Sequence, residues 1–161
     1  WYIDKNNTLK YETSNDGLNW SEPENVKINY EDSKQKTWHL DVIKTEKGYE
    51  MITVAFDKWD NHNDMSLYYL ASSKETSGWS KAKKVLSPTV GTQYWDNKGI
   101  YRSSFIYENG KYIVFYSGTN YELHHGIGML YGKEMNKLKK VNIDFTDKDN
   151  AKMKVDRILG R

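Results

Sequence analysis

Residues 101–118 read YRSSFIYENGKYIVFYSG, and this layout decides the fold class. Ser104 to Tyr107 and Lys111 to Tyr116 are runs of alternating, β-branched and aromatic residues that flank Glu108-Asn109-Gly110. Asn-Gly supplies the positive φ of a tight hairpin turn, so the stretch predicts two antiparallel strands doubling back on each other. Arg102 stands at the opening of the first strand, where the hairpin itself has no need of a guanidinium.

The same layout recurs elsewhere. WHLDVIKTEKGYEMITVAF at 38–56 repeats the polar opening, apolar run, Gly turn and second apolar run at an offset of 63 residues. LYYLASSKETSGW at 67–79 echoes LKYETSNDGLNW at 9–20 at an offset of 58, and GIGMLYGKEMNKLKKV at 126–141 echoes both, about 60 residues beyond 67–79. Each unit reads as four strands: the first at 39–44 or 102–107, the second at 49–56 or 111–117, the third at 66–73 or 126–132, and a short fourth near 81–86 or 138–143. Repeated four-stranded antiparallel units predict an all-β, β-propeller-like fold of about two and a half blades. The blade ends fall in 1–30, the full blades in 38–88 and 101–143, and a tail in 144–161. In that tail Met153, Val155, Ile158 and Leu159 sit at near-helical spacing, which predicts a short helix or a frayed end.

Composition excludes several classes. The chain has 161 residues, which suits a single domain, since a chain of roughly 150 residues buries about 70% of its unfolded surface. Its 24 basic and 22 acidic residues nearly cancel to +2, and the lysines are scattered among acids, so nucleic acid is not an expected partner. No apolar run reaches the 18 or so residues of a membrane span. With no Cys, disulfides, thiolate nucleophiles and Cys-ligated zinc are absent. The chain opens on Trp1 and not Met, which leaves room for a removed leader or upstream region, and an extracellular or cell-surface setting is favoured. The strong bias is toward aromatics, 13 Tyr and 6 Trp, which suit strands and, where exposed, sugar or protein contacts.

Antiparallel alternation sorts the connections onto two faces. One face holds the plain turns Glu46-Lys47-Gly48, Asn109-Gly110, Asn15-Asp16-Gly17 and Glu75 to Gly78. The other, the expected functional face, holds Asp57 to Asp64, Thr92 to Asn97, Thr119 to His125, and the strand openings Trp38 to Asp41 and Tyr101 to Ser103. All four His fall there, with Trp38, Trp59 and Trp95. Indole and phenol rings stack on the apolar faces of sugars, while carboxylates, Asn, His and Arg serve hydroxyls and acidic substituents. Hydrolysis of a glycoside further needs two carboxyl groups across the scissile bond. The face offers Asp41, Asp57, Asp60, Asp64, Asp96 and Glu122. Asp41 is the best placed, on an innermost strand, with Glu122 and Asp96 the next candidates. Asp41 also admits a structural reading, as a buried acid paired with Arg102. Adjacent histidines seldom point to one ion, so His124-His125 predicts no metal, and no cofactor is expected.

WHLDV, YRSSFIYENGKYIVFYSG and the Ser-Asn-Asp-Gly-x-x-Trp turn resemble the five-bladed β-propeller glycosidases of the arabinanase, xylosidase and invertase clan, over about residues 9–143. The resemblance implies blades closing a ring around a funnel-shaped site into which residues at the innermost strand openings project. It puts Arg102 and His39 at equivalent addresses, with Arg102 binding a hydroxyl, a carboxylate partner or an anionic sugar substituent. Trp38, His39, Trp59, Trp95, Tyr101, Arg102, Tyr121 and His124 then become the expected carbohydrate-binding set. YRSS carries no carboxylate where invertase-like chains have Arg-Asp-Pro. Since the chain holds only part of a ring, the missing remainder of the propeller, or self-association, is expected to cover its exposed edges. The alternatives to a glycoside hydrolase-like protein are a non-catalytic glycan-binding propeller and a protein-interaction fragment. Trp20, Trp79 and the tyrosines of YYL, KYE and FYS are expected to pack between blades, with Asp16 capping amides, Gly17 at positive φ and Trp20 beneath the turn.

Overall fold

The computed structural model describes residues 1–57, 64–141 and 147–160. Among the described residues, eleven strands form three antiparallel sheets. The N-terminal sheet holds β1 (Tyr2–Ile3), β2 (Leu9–Tyr11) and β3 (Glu24–Asn25). The first blade runs in chain order through β4 (Lys36–Thr45), β5 (Gly48–Phe56), β6 (Ser66–Ser72) and β7 (Lys83–Leu86). The second repeats it with β8 (Gly99–Glu108), β9 (Lys111–Thr119), β10 (His125–Gly132) and β11 (Lys139–Val141), followed by the helix α1 (Lys148–Leu159).

The repeat holds to the residue. Every registered pair between β4 and β5 recurs between β8 and β9 at a shift of 63, from Lys36↔Phe56 and Gly99↔Thr119 at one end to Thr45↔Gly48 and Glu108↔Lys111 at the other. The irregularity recurs too: the register slips between Thr37 and His39 in β4, and between Ile100 and Arg102 in β8. Trp38 and Tyr101 are therefore equivalent bulge residues, and a bulge re-aims side chains at the end of a strand. In the β8–β9 hairpin Asn109 (φ 51°) and Gly110 (φ 73°) both take the left-handed conformation that the Asn-Gly pair predicts.

Alternation along the strands divides the core into two layers. Ile52, Val54, Phe56 and Leu67 of the first blade pack against Tyr112, Val114, Tyr116 and Leu130 of the second. Met51, Ala55, Leu70 and Trp79 pack the opposite way, against Leu9 and Val26 of the N-terminal sheet. Each such aliphatic or aromatic side chain contributes about 1.5 to 3 kcal/mol when fully buried. Between the blades lies one buried acid that sequence reading missed: the Glu50 carboxylate accepts the hydroxyl protons of Tyr69 and Tyr112, each at 2.7 Å.

Two expectations need correction. The SNDGLNW turn forms as expected, with Asp16 Oδ1 accepting from the Leu18 and Asn19 amides at 2.8 Å and Gly17 at φ 74°. Trp20, however, does not pack beneath it and is 58% exposed. The turn is closed by its own hydrogen bonds, and among the described residues the thin N-terminal sheet gives the indole no layer to enter. The tail forms the short helix expected of it: Asp147 caps α1 at the Asn150 amide, Gly160 closes it in the left-handed conformation, and Ile158 packs on Ile113 and Met129. Met153, expected on the apolar stripe, faces solvent.

Candidate functional site at the innermost strand openings

β4 and β8, the first strands of the two blades, run side by side. Their equivalent openings, Trp38-His39 and Tyr101-Arg102, meet there. The Trp38 and Tyr101 rings lie 5.8 Å apart at 48°, and Trp38 also meets Phe56 edge-on at 6.2 Å. The Arg102 guanidinium sits over the Tyr101 ring, 5.5 Å from its centroid. Such stacking holds a guanidinium in place while leaving its N–H groups available to an acceptor.

The strands also exchange polar bonds across the gap between blades. His39 Nε2 lies 3.2 Å from the Ser103 carbonyl oxygen, which accepts only, so this nitrogen carries the proton and a neutral ring presents Nδ1 as an acceptor. Burial pushes the His39 pKa down, and the Arg102 charge adds to that, against opposing pulls from the Ser103 carbonyl and Asp41. A histidine whose folded pKa lies below its unfolded value adds stability that is fully present above about 6.5, the unfolded pKa, and is lost as pH falls through the folded one. Denaturation midpoints measured between pH 8 and pH 5 are therefore expected to fall on acidification, and His39→Gln should flatten that part of the profile.

Asp41 is not paired with Arg102. Its Oδ2 accepts the Ser104 hydroxyl at 2.7 Å and the Phe105 amide at 3.0 Å, and among the described residues no ion pair forms to Arg102. Ser104 is the 63-residue equivalent of Asp41, so neighbouring blades contribute matching positions to one bond. One oxygen is thereby oriented, and among the described residues no hydrogen bond or ion pair reaches Oδ1. Sequence reading missed Ser104, and the signal was present in its repeat address opposite Asp41.

The β9–β10 connection is built around Asn120. Its buried side-chain oxygen accepts from the Glu122 and His124 amides at 3.0 and 2.9 Å, which lets Leu123 adopt φ 65°. This holds Tyr121, Glu122 and His124 out in solvent, where His124 Nδ1 and Glu122 lie 3.5 Å apart. Tyr121 lines an open cleft of about 470 Å³ with Asp64, Lys84, Val90 and Asn97.

Trp95 and Asp96 occupy a different place. Trp95 stacks on Tyr116, with centroids 5.7 Å apart and planes at 14°, over a bed that only glycine permits. A Cβ on Gly126 would come within 2.7 Å of the indole, and one on Gly128 within 2.3 Å of the Tyr116 ring. Beneath it the Asp96 carboxylate, 2% exposed, takes Lys140 Nζ at 2.8 Å and the Tyr116 hydroxyl at 3.0 Å. Burial alone pushes the Asp96 pKa up, but its bonds to Lys140, Thr89 and Tyr116 outweigh that and hold it below the usual carboxylate range. This buried clasp ties the β7–β8 connection to β9 and β11, the latter on the opposite edge of the blade from β8.

The structure thus brings Trp38, His39, Asp41, Tyr101 and Arg102 to one place. Tyr121, Glu122 and His124 form a second, exposed group on a loop, and Trp95 with Asp96 a third. Among the described residues no hydrogen bond or ion pair links Asp41, Asp96 and Glu122. Trp59 and Asp60 lie outside the described residues.

No protein-family model matches the chain. A curated relative, the A type blood N-acetyl-α-D-galactosamine deacetylase of Flavonifractor plautii, is 32% identical over 110 residues, 65% of this chain and 14% of that protein. The crystal structure of an N-acetylgalactosamine deacetylase from F. plautii, in complex with blood group B trisaccharide, superposes with a TM-score of 0.60 at 29% identity over 69% of this chain and 32% of that one. A family 117 glycoside hydrolase from the marine bacterium Zobellia galactanivorans superposes with a TM-score of 0.69 at 16% identity, over 85% of this chain and 42% of that one. A GH43_1 enzyme from Xanthomonas citri complexed with xylotriose gives 0.52 at 15% identity, over 65% and 31%.

Proposed function

We propose that the chain, which has the fold of part of a β-propeller of the kind found in these glycoside hydrolases and spans well under half of each of them, forms part of the glycan-binding face of a carbohydrate-active hydrolase, with the paired openings of β4 and β8 gripping a sugar. The observation that carries this reading is the convergence of Trp38, His39, Asp41, Tyr101 and Arg102, drawn from equivalent bulged positions in two blades. Trp38 and Tyr101 supply ring faces for the apolar side of a pyranose. Arg102 and Asp41 Oδ1 supply a donor fork and an acceptor for its hydroxyls. Tyr121, Glu122 and His124 extend the same reading to a solvent-exposed loop.

Net affinity for a sugar is small, because each hydroxyl gives up water for every bond it gains, so stacking and charge-assisted bonds carry most of it. Arg102→Ala is expected to weaken glycan binding by about 1.5 to 3 kcal/mol, the range for a hydrogen bond to a charged group, with the unfolding midpoint unchanged. Asp41→Ala should weaken it as well. Calorimetric titration against an oligosaccharide panel checks both, and binding that neither substitution alters would remove the site from consideration.

A second reading concerns which bond is broken. Identity to the deacetylase, 32% over 110 residues, exceeds the 15 and 16% to the two glycosidases. Amide hydrolysis of an N-acetylated sugar is therefore an alternative to glycoside cleavage at the same face. Incubating the full-length gene product with N-acetylated oligosaccharides, and measuring released acetate beside new reducing ends, separates the two.

A further inference from the structure

Polar groups converge at a second place, near the hairpin-turn ends of β4 and β8 and away from the openings at Trp38 and Tyr101. Two cavities adjoin there. The larger, about 760 Å³, has Ile43, Ile106 and Tyr107 for walls, and the smaller, about 350 Å³, lies against Tyr49 and Tyr69. Glu50, Tyr112 and Lys47 line both, so the Glu50 carboxylate stands at their junction. Glu50 is 4% exposed, and its Oε2 takes the protons of Tyr69 and Tyr112. Among the described residues no hydrogen bond or ion pair reaches Oε1. Nor is Oε1 one of the sealed side-chain atoms without a partner, which among the described residues are Gln35 Oε1, Asn97 Oδ1 and Ser103 Oγ. It therefore keeps a surface on the cavities.

Blade packing does not call for this acid. Ile43↔Glu50 in the first blade matches Ile106↔Ile113 in the second, and Ile113 is buried among apolar partners. An aliphatic residue thus fills the address where only packing is required, and a buried charge stabilises a fold no better than a well-packed apolar side chain of similar volume.

The chemistry of the cluster selects a ligand. Each phenol has given its single proton to Oε2, and burial first, then the carboxylate itself, raises both tyrosine pKa values, so those protons stay. Glu50, Tyr69 and Tyr112 then present acceptors alone to the cavities, which suits a group made of donors alone, a primary ammonium. Aromatic faces favour the same charge: the Tyr107 and Tyr112 rings lie 4.7 Å apart, and Tyr69 meets Tyr112 edge-on at 6.5 Å. The neighbouring lysines do not take the place. Lys44 Nζ sits over the Tyr49 ring, 5.4 Å from its centroid, and among the described residues no ion pair joins Lys44 or Lys47 to Glu50. Both are exposed at the rim beside Glu46, where water and salt screen their charge, whereas Glu50 is buried.

We propose that the paired cavities at Glu50 form a binding site for a small primary amine, its ammonium donating to Glu50 Oε1 and its carbon body lying along Ile43, Ile106 and Tyr107. The larger cavity has the size of a small-molecule pocket. The site is independent of the glycan reading, since it uses none of the residues at the β4 and β8 openings.

Calorimetric titration of the 161-residue chain at neutral pH with n-butylamine, glucosamine and N-acetylglucosamine tests the site. Saturable binding of the amines is expected, with N-acetylglucosamine, whose nitrogen is a neutral amide, at least about tenfold weaker than glucosamine. Glucosamine binding tighter than n-butylamine assigns the site to amino sugars and the reverse order to aliphatic amines, and either order supports it. Glu50→Gln keeps an acceptor and removes the charge, and should weaken amine binding by about tenfold or more. Lys47→Glu, which reverses a like charge on the exposed rim, should tighten it about threefold or more. No saturable binding of either amine, equal affinity for glucosamine and its N-acetyl form, or unchanged amine affinity in a folded Glu50→Gln chain overturns the proposal. If Glu50→Gln does not fold, amine binding that Lys47→Glu leaves unchanged or weakens overturns it by itself.

Discussion

Replacing Glu50 by Ala is expected to lower the stability of the chain by about 3 to 5 kcal/mol, a large fraction of what holds a small domain folded. The carboxylate receives two phenolic protons, from Tyr69 of the first blade and Tyr112 of the second, and the two rings meet edge-on at 6.5 Å. Each bond to a charged acceptor contributes about 1.5 to 3 kcal/mol, and removing the acceptor strands two hydroxyls between the blades. The same carboxylate is one reason, after burial, that both tyrosine pKa values are raised. Glu50→Gln keeps an acceptor in place and should cost markedly less. Urea unfolding of the two variants checks the order, and a Glu50→Ala protein as stable as the parent would show that apolar packing alone joins the blades.

Trp79→Ala is expected to cost about 3 to 5 kcal/mol, the usual range for deleting a buried indole. Trp79 is 6% exposed and packs with Leu9, Met51 and Leu70, and its Nε1 donates to the Glu75 carbonyl at 3.1 Å. Trp1 Nε1 donates to the same carbonyl at the same distance, so one backbone acceptor ties the N-terminus to the β6–β7 connection. Glycan affinity per folded molecule should be unchanged, because none of these contacts reaches the β4 and β8 openings. Trp20→Ala is the matching control. It sits in the turn that repeats Trp79's, yet it is exposed, so its replacement should shift stability by no more than about 0.5 kcal/mol.

That pair of tryptophans shows what a repeat pattern conveys and what it does not. Sequence similarity between 9–20 and 67–79 is real and both turns form, but burial belongs to the layer on the other side of the ring, which a linear pattern does not contain. The same distinction separates the candidate carboxylates. Asp41, Asp96 and Glu122 all fall in connections or strand openings on the expected functional face. Only packing distinguishes one oriented by the neighbouring blade, one sealed under Trp95 by Lys140 and Tyr116, and one held out in solvent by Asn120.

The sequence by itself determined the strand pattern, the hairpin turns and the repeat, because alternation, Asn-Gly turn chemistry and β-branched or aromatic runs act over a few residues. It even carried the address shared by His39 and Arg102, since a shift of 63 residues maps one opening onto the other. Only the tertiary structure decided that Asp41 is held by Ser104 and the Phe105 amide instead of Arg102, that Glu50 bridges two tyrosines, and that α1 lies on the far face of the second blade. Those outcomes depend on contacts between residues some 20 to 64 positions apart, whose partners are chosen by which blade faces which, and that choice is made by the packing of whole sheets and not by any local run.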